Sequence, residues 1–95
     1  MTVGVLRLRL AVPADSLKEK RAVVKSTVER LRQRFNAAVA EVEDLDDPGH
    51  ATLAACVVSN DPQHADQMLG TIAKAVEEWR LDLELLAIET ELLSL

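Results

Sequence analysis

The side chains that most often bind metals or act as nucleophiles are few in this sequence: one cysteine, Cys56, and two histidines, His50 and His64. A zinc site needs three or four ligands that converge on one ion. His50 and Cys56 are roughly 20 Å apart if they share a strand, at about 3.3 Å per residue. Cys56 lies in the apolar run AACVV, which indicates a buried, inert thiol. We therefore expect no metal, no cofactor, no small-molecule substrate and no enzymatic activity; the alternative is an enzyme whose site is shared between subunits.

Positive charge is the second chemical feature, and it is concentrated in the stretch SLKEKRAVVKSTVERLRQRF. Residues 1–40 carry nine basic and three acidic residues, whereas residues 41–95 carry two basic and thirteen acidic residues. The net charge of the whole chain is −5. At about 100° per residue, a helix over this stretch places its cations on two flanks of an apolar stripe. One flank has Lys18, Arg21, Lys25 and Arg32, and the other has Lys20, Arg30 and Arg34.

Cations near the start of a helix oppose the helix dipole, so a negatively charged ligand there would compensate. We expect RNA phosphates, of ribosomal RNA or a ribosomal subunit, to contact five residues: Lys18, Lys20, Arg21, Lys25 and Arg32. The alternative is a merely solvated face, because Glu29 lies at pairing distance along the helix from two of these cations.

The elements that position these residues follow from periodicity. Ser16 and Glu19 have the spacing of a capping box, so a helix begins near Leu17, and Asn36 is a plausible left-handed stop. Apolar residues share one face of this helix: Leu17, Val24, Val28, Leu31 and Phe35. Residues 2–11 alternate in polarity and predict a strand.

The rest of the chain predicts three more strands and a second helix. We expect strands over residues 37–44, 51–60 and 83–95, although a helix pattern competes in the last of these, and an exposed, mobile loop over 46–50. Asp61 and Pro62 begin a helix that runs to about Arg80. This order predicts a single α+β domain over residues 1–95, a ferredoxin-like βαββαβ sandwich with a four-stranded antiparallel sheet and two helices on one face. The first and third strands should be central.

The open face of this sheet is the second candidate interaction surface. We expect six residues on it: Val3, Val5, Arg7, Arg9, Leu83 and Leu85. The apolar ones would form a patch that a second copy of the chain covers, giving a homodimer and a structural or protein-interaction function. Glu89 and Glu91 are candidate cross-strand partners of the arginines. The central strands carry no aromatic residue, which argues against base stacking on the sheet, and Phe35 and Trp79 are expected to pack in the core.

The segments SLKEKR, VVKS, RLRQRFN, VAEV and VSND, in this order, resemble the YlxP-like family of small bacterial proteins, catalogued as domain of unknown function 503. The resemblance implies a ferredoxin-like fold and a bacterial gene often found among translation and ribosome-maturation genes. It implies no catalytic residues. The sequence departs from the family at Ala37 and Ala38 and in the loop at Asp47, Pro48 and Gly49. A lone cysteine and the lack of a long apolar run favour a cytoplasmic protein without a membrane segment.

Overall fold

A computed structural model describes residues 1–79 and 82–95. The elements follow in the order β1 (Thr2–Ala11), α1 (Leu17–Arg34), β2 (Ala38–Glu43), β3 (His50–Ser59), α2 (Pro62–Trp79) and β4 (Glu84–Ser94). The strands form one antiparallel sheet in the order β2-β3-β1-β4. The predicted ferredoxin-like fold is confirmed, with β1 and β3 in the centre.

Both helices begin where local side chains satisfy free backbone amides. Ser16 Oγ accepts a hydrogen bond from Glu19 N at 3.2 Å, and Glu19 Oε2 accepts one from Asp15 N at 3.0 Å. In α2, Asp61 Oδ1 accepts from Gln63 N at 3.0 Å. These caps orient the first turn of each helix. The predicted end of α2 near Arg80 falls outside the described residues.

The end of α1 differs from the prediction. Phe35 already has an extended backbone, with φ −120° and ψ 144°. Asn36 does not adopt the left-handed conformation, since Asp44 is the non-glycine residue with positive φ in the described part of the chain. The chain therefore leaves α1 by extending directly toward β2, and no left-handed turn is needed.

The core lies on one face of the sheet, beneath both helices. Alternation in β1 buries Leu6, Leu8 and Leu10, and the same face of β3 buries Leu53, Ala55 and Val57. The helices contribute Val24, Val28, Leu31, Leu69, Ile72 and Val76. Each fully buried Val, Leu or Ile side chain stabilises the fold by about 1.5–3 kcal/mol. The opposite face of the sheet is open to solvent.

None of the helices within residues 1–79 and 82–95 has the length and apolar character that crossing a membrane requires.

Candidate nucleic-acid interface

Lys20 does not lie where the sequence analysis places it. Its side chain is fully buried, at 0% exposure, in the same helical stripe as Val24 and Leu31. The ammonium lies 3.0 Å from Glu41 Oε2 on β2 and donates a hydrogen bond to Asp44 O. Glu41 Oε2 is itself buried and has no hydrogen-bond partner among the described residues, so the neighbouring ammonium charge compensates it. The prediction that Lys20 contacts RNA is therefore wrong for this structure.

The residues around Lys20 organise the connection between β2 and β3. Asp44 has a positive φ of 61°. Its carbonyl oxygen accepts a hydrogen bond from the ammonium of Lys20 and another, 3.0 Å long, from Asp47 N. Its carboxylate accepts from Thr52 Oγ1 at 2.9 Å. Asp47 Oδ1 accepts from Gly49 N at 2.9 Å, and this bond is the main reason why the pKa of Asp47 is lowered. Asp44, just before the loop expected over residues 46–50, is thus tied to α1 and β3, and Asp47 N and Gly49 N make hydrogen bonds within the connection.

Three further cations of α1 are engaged by other parts of the protein. Arg32 donates to Val39 O through Nε at 3.0 Å and through Nη2 at 2.5 Å. Arg30 lies 4.4 Å and Arg34 lies 5.0 Å from the centroid of Trp79. That ring stacks on Phe35 with 6.1 Å between centroids. Both rings pack half-buried against the core, as expected, and their faces are occupied by each other and by guanidinium groups.

Lys18, Arg21 and Lys25 form the basic patch. All three are exposed, and they lie on successive turns of α1. Within residues 1–79 and 82–95 none of them makes an ion pair. Of the five residues proposed from sequence, three are therefore exposed cations without an ion pair in the described part of the chain, whereas Arg32 donates to β2 and Lys20 is buried.

The open face of the sheet is mixed in character. Arg7 lies 3.6 Å from Glu43 and 3.8 Å from Glu89, which is its register partner on β4. Arg9 lies 3.8 Å from Asp44 Oδ2. The expected pairing with Glu89 is confirmed, whereas Glu91 is opposite Val5. This part of the face is therefore neutralised by internal ion pairs, which compete with any anion for the two arginines.

The predicted apolar patch on the open face is wrong in two of its members. Val3 and Val5 do lie there, half-buried, but Leu85 is opposite Leu10 and packs against the core on the helix face. Leu83 precedes β4 and also packs against the core. The physical reason is a β-bulge near Leu86, which adds one residue and reverses the side-chain alternation before it.

Cys56 is half-buried on the open face, not in the core, because the buried residues of β3 are its neighbours Ala55 and Val57. It lines a shallow groove of about 480 Å³ together with Val5, Ala54, Arg32 of α1 and residues of β2. No histidine or carboxylate lines this groove in the described structure, so no adjacent base activates the thiol.

Comparison with known proteins identifies a family and a fold. The model of the family described as "Protein of unknown function (DUF503)" matches residues 3–90. A de novo designed protein with a ferredoxin fold is similar at TM-score 0.56 and 20% identity, with 99% of this chain and 86% of that chain covered. A "putative antibiotic biosynthesis monooxygenase" from Deinococcus radiodurans is similar at TM-score 0.51 and 16% identity. The alignment covers 100% of this chain and 92% of that chain. No curated protein matches. At these identities the structural likenesses show the fold alone.

Proposed function

Because this chain belongs to the DUF503 family, whose description assigns no function, we propose a function from its surface chemistry: it is a non-enzymatic accessory factor of translation or ribosome maturation that binds RNA or a ribonucleoprotein through α1. The link to translation comes from the resemblance of the sequence to the YlxP-like family. The RNA-binding role rests on the basic patch.

The supporting observation is that three cations on successive turns of α1 make no ion pair with any residue in 1–79 or 82–95, while the protein as a whole is acidic. Lys18, Arg21 and Lys25 are exposed, and the net charge of the chain is −5. Lys18 lies in the first turn, where a cation is unfavourable by about 0.3–1 kcal/mol because of the helix dipole. A phosphate group bound at this end would remove that penalty.

The geometry favours contacts to the sugar–phosphate backbone without base recognition. Lys18 and Lys25 are seven residues apart, which is about 10.5 Å along a helix. Phe35 and Trp79 stack on each other and lie beside the guanidinium groups of Arg30 and Arg34, so a base that stacked on these rings would compete with contacts they already make. Three phosphate contacts predict a slope of log affinity against log salt of about −2 to −3.

The test is binding of the full chain to ribosomal subunits and to ribosomal RNA fragments across a salt series. Changing Lys18, Arg21 and Lys25 to glutamate should abolish binding. Glu29→Lys extends the same exposed stripe by one turn and should tighten binding and steepen the salt slope by about one unit. Glu77→Lys makes the same charge change on an exposed site of α2 and is the matched control.

Loss of binding must be separated from loss of structure. Lys18→Glu alone should weaken binding while stabilising the helix slightly, because the substituted carboxylate suits the first turn. The proposal is rejected if binding is indifferent to salt and to the triple substitution, or if Glu77→Lys tightens binding as much as Glu29→Lys.

A second candidate function is homodimerisation through the open sheet face. Val3 lies between Val58 and Leu93 in the sheet register, and Val58 is 63% exposed. This apolar row differs from the one expected from sequence, but it is also a surface that monomers usually cover. Sedimentation of the wild type and of Val58→Asp at micromolar concentration tests it, and two monomeric species would reject it.

A further inference from the structure

The two edge strands of the sheet, β2 and β4, differ in length and in the regularity of their pairing. The edge strand β2 has only six residues, and the register of its pairing with β3 shifts between Glu41 and Glu43. The guanidinium group of Arg32 donates hydrogen bonds to the carbonyl oxygen of Val39 on this strand. Short length, a bulge and a covering charge are the means by which proteins keep edges from pairing. The edge strand β4 has eleven residues and pairs without interruption with β1 from Ala87 to Ser94.

The side chains of β4 form two rows: Ile88, Thr90 and Leu92 lie on the helix face of the sheet, and Ala87, Glu89, Glu91 and Leu93 lie on the open face. Ile88 and Leu92 face the helix layer but remain 49% and 40% exposed. Glu89 and Glu91, which point to the open face, are exposed as well. The free edge therefore offers backbone hydrogen-bonding groups together with the two exposed apolar side chains of Ile88 and Leu92 on one face and the two carboxylates of Glu89 and Glu91 on the other.

The occupied side of β4 shows which strand suits this pattern. There β1 places Leu8 opposite Ile88 and Arg7 opposite Glu89, with Arg7 and Glu89 3.8 Å apart. At these two positions β4 is thus already paired with a leucine and an arginine that are neighbours on the adjacent strand. Glu91 has no such counterpart, because Val5 is opposite to it, and it forms no ion pair with any residue in the described part of the chain.

A second copy of this chain fits the edge less well. If two β4 strands paired about Thr90, Ile88 would lie opposite Leu92 of the copy, but Glu89 would also lie opposite Glu91 in both halves of the pair. Like charges directly opposite each other destabilise a strand pair. The acidic row therefore opposes self-pairing in the register that matches the apolar residues.

We propose that the free edge of β4 binds an extended segment of a partner protein in which basic and apolar residues alternate, as a fifth strand of the sheet. Backbone hydrogen bonds supply the general affinity of such strand addition, and the side-chain rows supply the selectivity. Basic residues of the segment contact Glu89 and Glu91, and apolar residues cover Ile88 and Leu92. This proposal is independent of RNA binding by the basic patch.

The test uses the full chain and two labelled ten-residue peptides. The first has the sequence of residues 2–11, TVGVLRLRLA, and the second is its twin with Arg7→Glu and Arg9→Glu. Fluorescence anisotropy should show binding of the basic peptide and at least tenfold weaker binding of the acidic twin. Glu91→Lys should weaken binding of the basic peptide about tenfold and strengthen that of the twin. Asp66→Lys, the same kind of charge change on an exposed site of α2, should leave both unchanged.

Amide hydrogen exchange locates the bound peptide. Exchange in residues 87–94 should slow on saturation, while exchange in β2 should not. The proposal is overturned if neither peptide binds, if both bind equally, or if Asp66→Lys has the effect of Glu91→Lys. A wild-type dimer that Ile88→Asn dissociates would assign the edge to a second copy and would also overturn it.

Discussion

Replacement of Lys20 by methionine tests the most unexpected feature of the structure, a fully buried cation in a helix of surface arginines and lysines. Methionine preserves most of the apolar stem and removes the charge. The change leaves Glu41 Oε2 buried beside an apolar group, and it leaves Asp44 O without the donor that joins α1 to the loop after β2. We therefore expect a large loss of stability although the core volume is nearly conserved.

The magnitude follows from the burial of the two partners. Removing one member of a buried ion pair costs about 3–5 kcal/mol, because the other charge remains without compensation. The Glu41 side chain keeps 15% exposure, so partial hydration puts the expected loss at the lower end. A loss of about 3 kcal/mol in a domain of this size corresponds to a fall in Tm of roughly 12–24 °C.

Urea and thermal denaturation, followed by circular dichroism, measure this loss. Lys25→Met is the matched control, since it removes an exposed, unpaired cation from the same helix and should change stability by less than about 0.5 kcal/mol. The double variant Lys20→Met/Glu41→Met removes both charges and should be more stable than Lys20→Met alone. If Lys20→Met unfolds at the same urea concentration as Lys25→Met, the buried ion pair does not support this fold and the reasoning is refuted.

Three further predictions concern packing and pH. A Cβ atom added at Gly4 would lie 3.1 Å from side-chain atoms of both Leu69 and Val57, so Gly4→Ala should destabilise the fold by about 1–3 kcal/mol in urea denaturation. Gly70, on α2, has no atom within 4 Å of the corresponding position, so Gly70→Ala should stabilise by roughly 0.5–1 kcal/mol in the same assay. The pKa of Asp47 lies below its ordinary value of 3.8, mainly because of the hydrogen bond from Gly49 N. The stabilising contribution of this carboxylate is therefore complete above about pH 4 and is lost as pH falls through the lowered pKa, so the difference in unfolding free energy between wild type and Asp47→Asn should shrink toward pH 2.

Sequence reasoning worked where one local rule decides the structure. Strict alternation in residues 2–11 predicts both the bounds of β1 and its buried leucines. The Ser16–Glu19 spacing predicts the start of α1. Lys20 was missed because its charge suggested the surface, although its spacing of four from Val24 and eleven from Leu31 places it in the buried stripe. Helical position was thus the better guide than residue type.

The remaining errors depend on contacts between distant parts of the chain. The bulge near Leu86 arises from pairing with β1, and no residue type in the leucine-rich segment marks it. Cys56 lies in a run of small apolar residues with no alternation, so the sequence does not indicate which face of β3 it occupies. Asp44, which accepts from Lys20, is 24 residues away from it along the chain. Such features follow from register, which local patterns do not determine.

Within SLKEKR, one lysine and its two cationic neighbours therefore have different roles. Lys20 is turned inward and fixes the first turn of α1 against β2, while Lys18 and Arg21 face solvent. If only the exposed cations contact phosphates, the folded Lys20→Met variant should bind RNA with the affinity of the wild type. The substitution should then reduce binding only by increasing the fraction of protein that is unfolded. Measured well below its midpoint of unfolding, the Lys20→Met variant should thus bind like the wild type, whereas Lys18→Glu should bind more weakly despite a more stable helix. The opposite ranking would mean that Lys20 leaves its buried position to reach the ligand, and it would contradict the separation of roles within this motif.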